Sequence, residues 1–180
     1  MLPTLIKTVE NAAMPELEGF QCHTCGKWHE GLPLDYAYDA PDYWSESLRS
    51  DADSFLNADF CVIKNKDFFV RCLIEIPIIG RHEFFRWGVW STLSKTNFDR
   101  LVDLWDNPKL LDEPAYFGWL SNSINLYPET LNLKTNVHSR NIGERPYLVL
   151  EPTDHPLSIE QRSGMMPQRV REIAERSLHR

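Results

Sequence analysis

The 180-residue chain predicts an α+β fold: a mainly antiparallel sheet, two main helices and a CxxC knuckle on the N-terminal side. Three observations carry this reading. Phe68, Val70, Cys72, Ile74, Ile76 and Ile78 recur with a period of two, as in a strand that turns one face to a core. Two later segments instead repeat apolar residues at helical spacing. Near the N-terminus, Cys22-His23-Thr24-Cys25-Gly26 is a turn that points two sulfurs at one centre.

Taken in order, residues 1–16 lack a sustained period and read as a flexible extension. Residues 17–180 read as a single α+β domain, without an internal repeat, low-complexity tract or dividing linker. Gly19–Cys22 is expected as a short strand into the knuckle, and Glu30–Leu34 as a turn and extended segment. Asp42 is placed to cap a short helix through Leu48. Cys61–Ile63, Phe68–Ile78 and Phe84–Trp90 are expected as a meander, with turns at Lys64–Asp67 and Gly80–His82.

Ser94 is a suitable N-cap for a helix whose stripe is Phe98, Leu101, Val102 and Trp105, ended by Asn107-Pro108. Strands are expected at 115–120, 131–138 and 147–151. The last helix should begin at Pro167, because proline has no N–H to lose in a first turn. Its stripe is Val170, Ile173, Ala174 and Leu178, with Met166 packed below it.

Composition narrows the function classes. A hydrophobic fraction of 42% is ordinary for a globular domain. No apolar run approaches the roughly 20 residues that span a bilayer, and the N-terminus lacks the pattern of a secretory signal. A cytoplasmic monomer is the expectation. A net charge of −7 argues against sequence-independent nucleic-acid binding, which needs a cation surplus to displace counterions. It suits a basic protein partner, and equally simple solubility.

The knuckle is the clearest chemical signal. Zinc takes four tetrahedral thiolate or imidazole ligands, and Cys22, Cys25 and His29 supply three. Cys61 is the preferred fourth, with His23, Cys72, His138 and His155 as alternatives. A metal here would be structural. The competing readings are a metal-free turn with packed cysteines and a redox pair, which normally opens a helix in a βαβ context that Gly26-Lys27-Trp28 does not suggest.

Thr153-Asp154-His155-Pro156 could orient a general base, but with no nucleophile or metal partner evident it reads as a turn. Arg71 and Glu75 share a strand face, as a polar patch or clamp. Trp44, among Asp39, Asp42 and Glu46, is either a protein-interface anchor or local packing. The chain has no GxGxxG, GxxxxGK[ST], GxSxG or HExxH motif, and no catalytic residue is assigned.

Several motifs together resemble the bacterial family called domain of unknown function 2199. They are Cys22-x-x-Cys25-Gly26-x-x-His29-x-x-Leu32-Pro33-Leu34, Cys61-Val62-Ile63, Phe69-Val70-Arg71 with Leu73-Ile74-Glu75-Ile76-Pro77, and Trp87-Gly88-Val89-Trp90. Residues 127–134, Glu151-Pro152-Thr153-Asp154-His155-Pro156-Leu157 and Glu160-Gln161-Arg162-x-Gly164 continue the pattern, so the resemblance runs from about residue 19 to the end. Cys72 departs from it where the family has glycine, and is therefore read as a packing residue.

The resemblance implies an immunity protein that neutralises a cognate polymorphic toxin, including Rhs-type toxins with ADP-ribosylating domains, by occluding its active site. Asp39, Asp42, Trp44, Glu46, Asp51 and Asp53 would form the surface that meets a basic toxin face. The alternatives are a zinc-containing enzyme and a housekeeping zinc-stabilised binding domain.

Overall fold

A computed structural model describes residues 19–179; the expected extension at 1–16 lies outside the described residues. Ten strands and three α-helices follow in the order β1 Gly19–Gln21, β2 Trp28–Glu30, β3 Asp35–Ala37, β4 Phe55–Leu56, β5 Phe60–Ile63, β6 Asp67–Pro77, β7 Phe84–Leu93, α1 Lys95–Asp103, β8 Tyr116–Trp119, β9 Lys134–His138, β10 Tyr147–Leu150, α2 Pro156–Ser163 and α3 Pro167–Leu178. The α+β class holds. No helix among the described residues is long and apolar enough to cross a membrane.

The sheet is mainly antiparallel, as expected, but mixed rather than purely so. Its order is β3-β7-β6-β10-β9-β8, with β4 and β5 added beside β6. The β3–β7 and β10–β6 pairs are parallel. Both join strands separated by long connections, which parallel pairing requires. Local alternation reveals a strand but not which distant strand lies beside it, so these pairs are invisible to a residue pattern.

The long β6–β7 hairpin is the spine, paired from Phe68↔Leu93 to Pro77↔Phe84. The alternating set is buried as its period requires: Val70, Cys72, Ile74 and Ile76 are fully enclosed, with Phe85, Trp87 and Val89 opposite them. The sheet then curls. At its far end β8 meets β7 again, through the Ser91↔Leu120 bridge and the Ser121 N–H donated to Trp90 O at 2.8 Å. Strands β7, β6, β10, β9 and β8 thus curl into a small barrel closed by that bridge, while β3 and β4 remain as edges.

Side chains complete the edges that strands leave open. Gln161 on α2 accepts from Leu150 N at 2.8 Å and donates to Leu148 O at 2.6 Å, acting as a strand neighbour for β10. Buried Asn122 does the same for β7, accepting from Trp90 N at 2.8 Å and donating to Ala40 O at 2.9 Å. Thr130 Oγ1 accepts from Ile124 N and donates to Asn122 O, which fixes the loop between β8 and β9. Asn122 and Thr130 are buried and Gln161 is half-buried, and each is partnered, as burial demands.

Helix α1 begins as expected, with Ser94 Oγ accepting from Asn97 N at 3.2 Å. It ends at Asp103, before Asn107-Pro108; Trp105 lies past its end, packed edge-on to Phe60. Val102 stands 43% exposed rather than in the stripe. Helix α2 was not expected. Its segment carries only a weak apolar pattern, and His155 caps it by accepting from Leu157 N at 3.2 Å. Helix α3 starts at Pro167 and buries Val170, Ile173 and Ala174, but Leu178 and Met166 are exposed. Met165 is the buried methionine, held beside Ile78 by Met165 N–H to Pro77 O.

Asp42 does not cap a helix. Its carboxylate accepts from Ser123 N at 2.8 Å and Asn122 Nδ2 at 3.0 Å, and the local helix is a 3-10 turn at Glu46–Ser50.

On the outer face Glu75 accepts hydrogen bonds from Arg140 and from Arg86, the latter at 3.2 Å. Burial pushes the Glu75 carboxyl up, but the two guanidinium groups outweigh it and hold it below its ordinary 4.5. A depressed folded-state pKa contributes stability that is present above the unfolded-state value and lost as pH falls through the folded one. Glu75→Gln should therefore be the less stable protein at neutral pH. Urea titrations at stepped pH should show the gap to the parent closing as pH drops below about 4.5.

Candidate metal centre at the knuckle

The hairpin β1–β2 presents the knuckle. Gln21 pairs with Trp28, so the six residues between them must reverse the chain. Cys22 N–H donates to Lys27 O and Gly26 N–H to Cys22 O, both at 2.9 Å. Gly26 has φ +68°, a left-handed conformation that glycine adopts without a Cβ penalty. The turn brings Cys25 Sγ to 3.4 Å from His29 Nε2, and His29 stacks on buried Phe20.

The fourth donor comes from the other end of the chain. His179, the C-cap residue of α3, places Nε2 3.0 Å from Cys22 Sγ. The donor atoms of Cys22, Cys25, His29 and His179 all lie within 4.8 Å of one another. Neighbouring ligands of a tetrahedral zinc are separated by about 3.3–3.8 Å, given its bond lengths. A Cys2His2 donor set at these distances needs only a small contraction to close on a metal.

Cys61, expected as the fourth ligand, is elsewhere. It is fully buried in β5 within a second apolar cluster formed with Ile63, Phe69 and Trp90. The thiols differ in kind. Burial pushes Cys61 up to about 12 and raises Cys72 further. Burial also pushes Cys22 up, but hydrogen bonds from Cys25 and Thr24 N–H, with His179 and Cys25 side chains, outweigh it and bring the thiol down to about 6. Cys22 is thus poised as a thiolate donor, whereas Cys61 and Cys72 are packing groups.

The alternative ligands are likewise engaged. His23 contacts Glu175 at 3.0 Å, His138 stacks on Tyr147, and His155 caps α2. Further ties hold α3 against the knuckle: Glu175 accepts from His23 N at 3.1 Å, Arg171 donates to Gln21 O, and the Arg171 guanidinium lies 5.7 Å from the Phe20 ring. Between them is a cavity of about 370 Å³, lined by Phe20, His23, Leu32, Arg171 and Glu175 among others.

The expected partner surface spans the loop from Asp39 to Asp53. Asp39, Asp42, Glu46 and Asp53 are exposed, and Asp51 is half-buried. Asp42 and Asp51 are committed to loop hydrogen bonds, Asp51 accepting from Asp53 N at 2.9 Å. Trp44 is half-buried and packs against the Cys61–Trp90 cluster.

No curated protein and no solved structure matches this chain. One family does, over residues 21–165, a segment that contains Cys22, Cys25 and His29 and stops before α3 and His179. By that match the chain belongs to the family described as "Uncharacterized protein conserved in bacteria (DUF2199)".

Proposed function

We propose that this protein acts by binding another protein, as a zinc-stabilised immunity protein that neutralises a cognate antibacterial toxin domain, an ADP-ribosylating one by the resemblance of its motifs. The observation that carries the binding reading is a concentration of charge. Residues 39–59 hold six carboxylates (Asp39, Asp42, Glu46, Asp51, Asp53 and Asp59) against one cation, Arg49, a net −5 of the chain's −7. Exposed Tyr43 and Phe55 lie in the same segment, and exposed Phe117 and Trp119 pair on the outside of β8.

Acidic groups steer a basic partner, while aromatic groups supply area that loses little entropy on burial. A patch of roughly 800 Å² per partner would suffice for a stable complex. Zinc held by Cys22, Cys25, His29 and His179 would act as scaffold, since four protein ligands leave no open position for substrate. An enzymatic reading through Asp154 and His155 has less support, because His155 Nδ1 is spent on the α2 cap.

Coexpression with the toxin domain encoded beside this gene tests the proposal. Asp154→Ala and His155→Ala should each retain protection. The double variant Glu46→Lys, Asp53→Lys should weaken the complex by roughly tenfold, chiefly through slower association. Absence of any stable complex would sink the immunity reading, and loss of protection in both alanine variants would favour an enzyme.

A further inference from the structure

Arg71 stands on the outer face of β6, directly opposite Trp90 in the β6–β7 ladder. Its guanidinium lies over the buried indole, 6.0 Å from the ring centre. It sits at a fork. Arg71 N–H donates to Asp59 O just before β5 begins, and Leu73 N–H donates to Pro146 O just before β10 begins. The loop before β10 brings in a second guanidinium, that of Arg145.

The charges around this fork are incompletely matched. Arg145 Nε donates to Asp59 Oδ1 at 2.9 Å, which occupies one oxygen of that carboxylate. The remaining acid, Asp39, approaches the Arg71 terminal nitrogen only to 3.7 Å, beyond hydrogen-bond reach, and is fully exposed. Arg71 has 12% of its side chain accessible, and its Nε is sealed from solvent with no acceptor. Among the described residues no oxygen accepts a hydrogen bond from this guanidinium. A guanidinium offers five donors in a planar fork, and a buried charge is normally paired.

We infer that Arg71 and Arg145 form a binding site for an oxyanion, the phosphate or carboxylate group of a ligand, held between their guanidinium groups at the mouth beside Asp39. Guanidinium groups match such anions two bonds at a time, and the Trp90 ring fixes the plane of Arg71. Burial and the neighbouring Arg145 charge both press the Arg71 guanidinium below its ordinary value, and a bound anion offsets both. Asp39 would act as a gate charge that competes with weakly held anions.

The test is NMR of the arginine Nε–Hε groups in ¹⁵N-labelled protein, titrated with sodium phosphate and, separately, sodium acetate. Ionic strength is held constant with sodium chloride, which serves as the reference. The expected result is saturable movement of the Arg71 and Arg145 signals in at least one arm; phosphate alone or acetate alone then names the group. Arg71→Met keeps an unbranched stem over Trp90 and should abolish saturation. Arg145→Gln, at a more exposed position, should weaken it at least about tenfold even if the Arg71 variant fails to fold. Asp39→Asn should tighten it about threefold by removing a competing charge. Shifts no larger than those in chloride, saturation that survives Arg145→Gln unchanged, or weaker binding in Asp39→Asn would each overturn the site.

Discussion

Replacing Gly118 with alanine is expected to cost about 3 kcal/mol, among the larger effects of a single methyl group. Gly118 lies in β8 where the barrel closes. A Cβ there would stand 2.1 Å from Thr92 O and 2.5 Å from Ser91 Oγ, with Thr135 Oγ1 at 3.3 Å. The first is backbone of the strand that β8 must meet, and Ser91 and Thr135 share a buried hydrogen bond of 2.9 Å. No flexible side chain can give way, so either β8 moves off β7 or that hydrogen bond breaks. Thermal unfolding should show Tm lower by about 6–12 °C, at roughly 2–4 °C per kcal/mol for a chain of this size. A change of less than about 2 °C would mean that β8 does not close against β7 as described.

Removing the zinc proposed for the knuckle should be the other large perturbation. The centre joins β1–β2 to the last turn of α3, and Cys22 is 1% exposed, so its loss leaves both a cavity and an untied helix. Zinc contributes order-of-10 kcal/mol to isolated knuckles, but here α3 retains its own apolar contacts through Val170, Ile173 and Ala174. A loss of roughly 3 kcal/mol is therefore expected on chelation, with the same loss for Cys22→Ala. Hydrogen exchange should localise it: amides of the knuckle and α3 should speed up, while those of β6 and β7 remain protected. Uniform exchange in both regions after chelation would separate the metal from the docking of α3.

The elements that sequence revealed are those whose signal is local. The period in β6, the Ser94 cap and Pro167 at the start of α3 each depend on residues within a turn or two of one another. Cys22, Cys25 and His29 were readable for the same reason. His179 was not, because 150 positions separate it from His29 and only the docking of α3 brings them together. Its one signal is a histidine just past the last turn of an amphipathic helix. Cys61 suggests a ligand because it is a cysteine, but β5 is a short apolar run, Phe60-Cys61-Val62-Ile63, in which it packs as one of three consecutive buried residues.

Barrel closure and the parallel pairs were hidden because pairing partners lie far apart in sequence. Asn122 and Gln161 were hidden too, since an amide that stands in for a strand looks like any loop or helix polar residue. The partner surface was half legible. Composition marked the acidic segment, but only geometry separates Asp42 and Asp51, which hold the loop, from Asp39, Glu46 and Asp53, which face outward.

In the proposed Cys2His2 centre, four donors tie the first hairpin to the last helix. Its most direct test is a zinc competition titration comparing the parent with His179→Ala and Cys61→Ser. One zinc per chain is expected in the parent and in Cys61→Ser, with affinity at least tenfold weaker in His179→Ala, where water must replace an imidazole. Affinity lost in Cys61→Ser but intact in His179→Ala, or a parent that takes up no zinc, would contradict it.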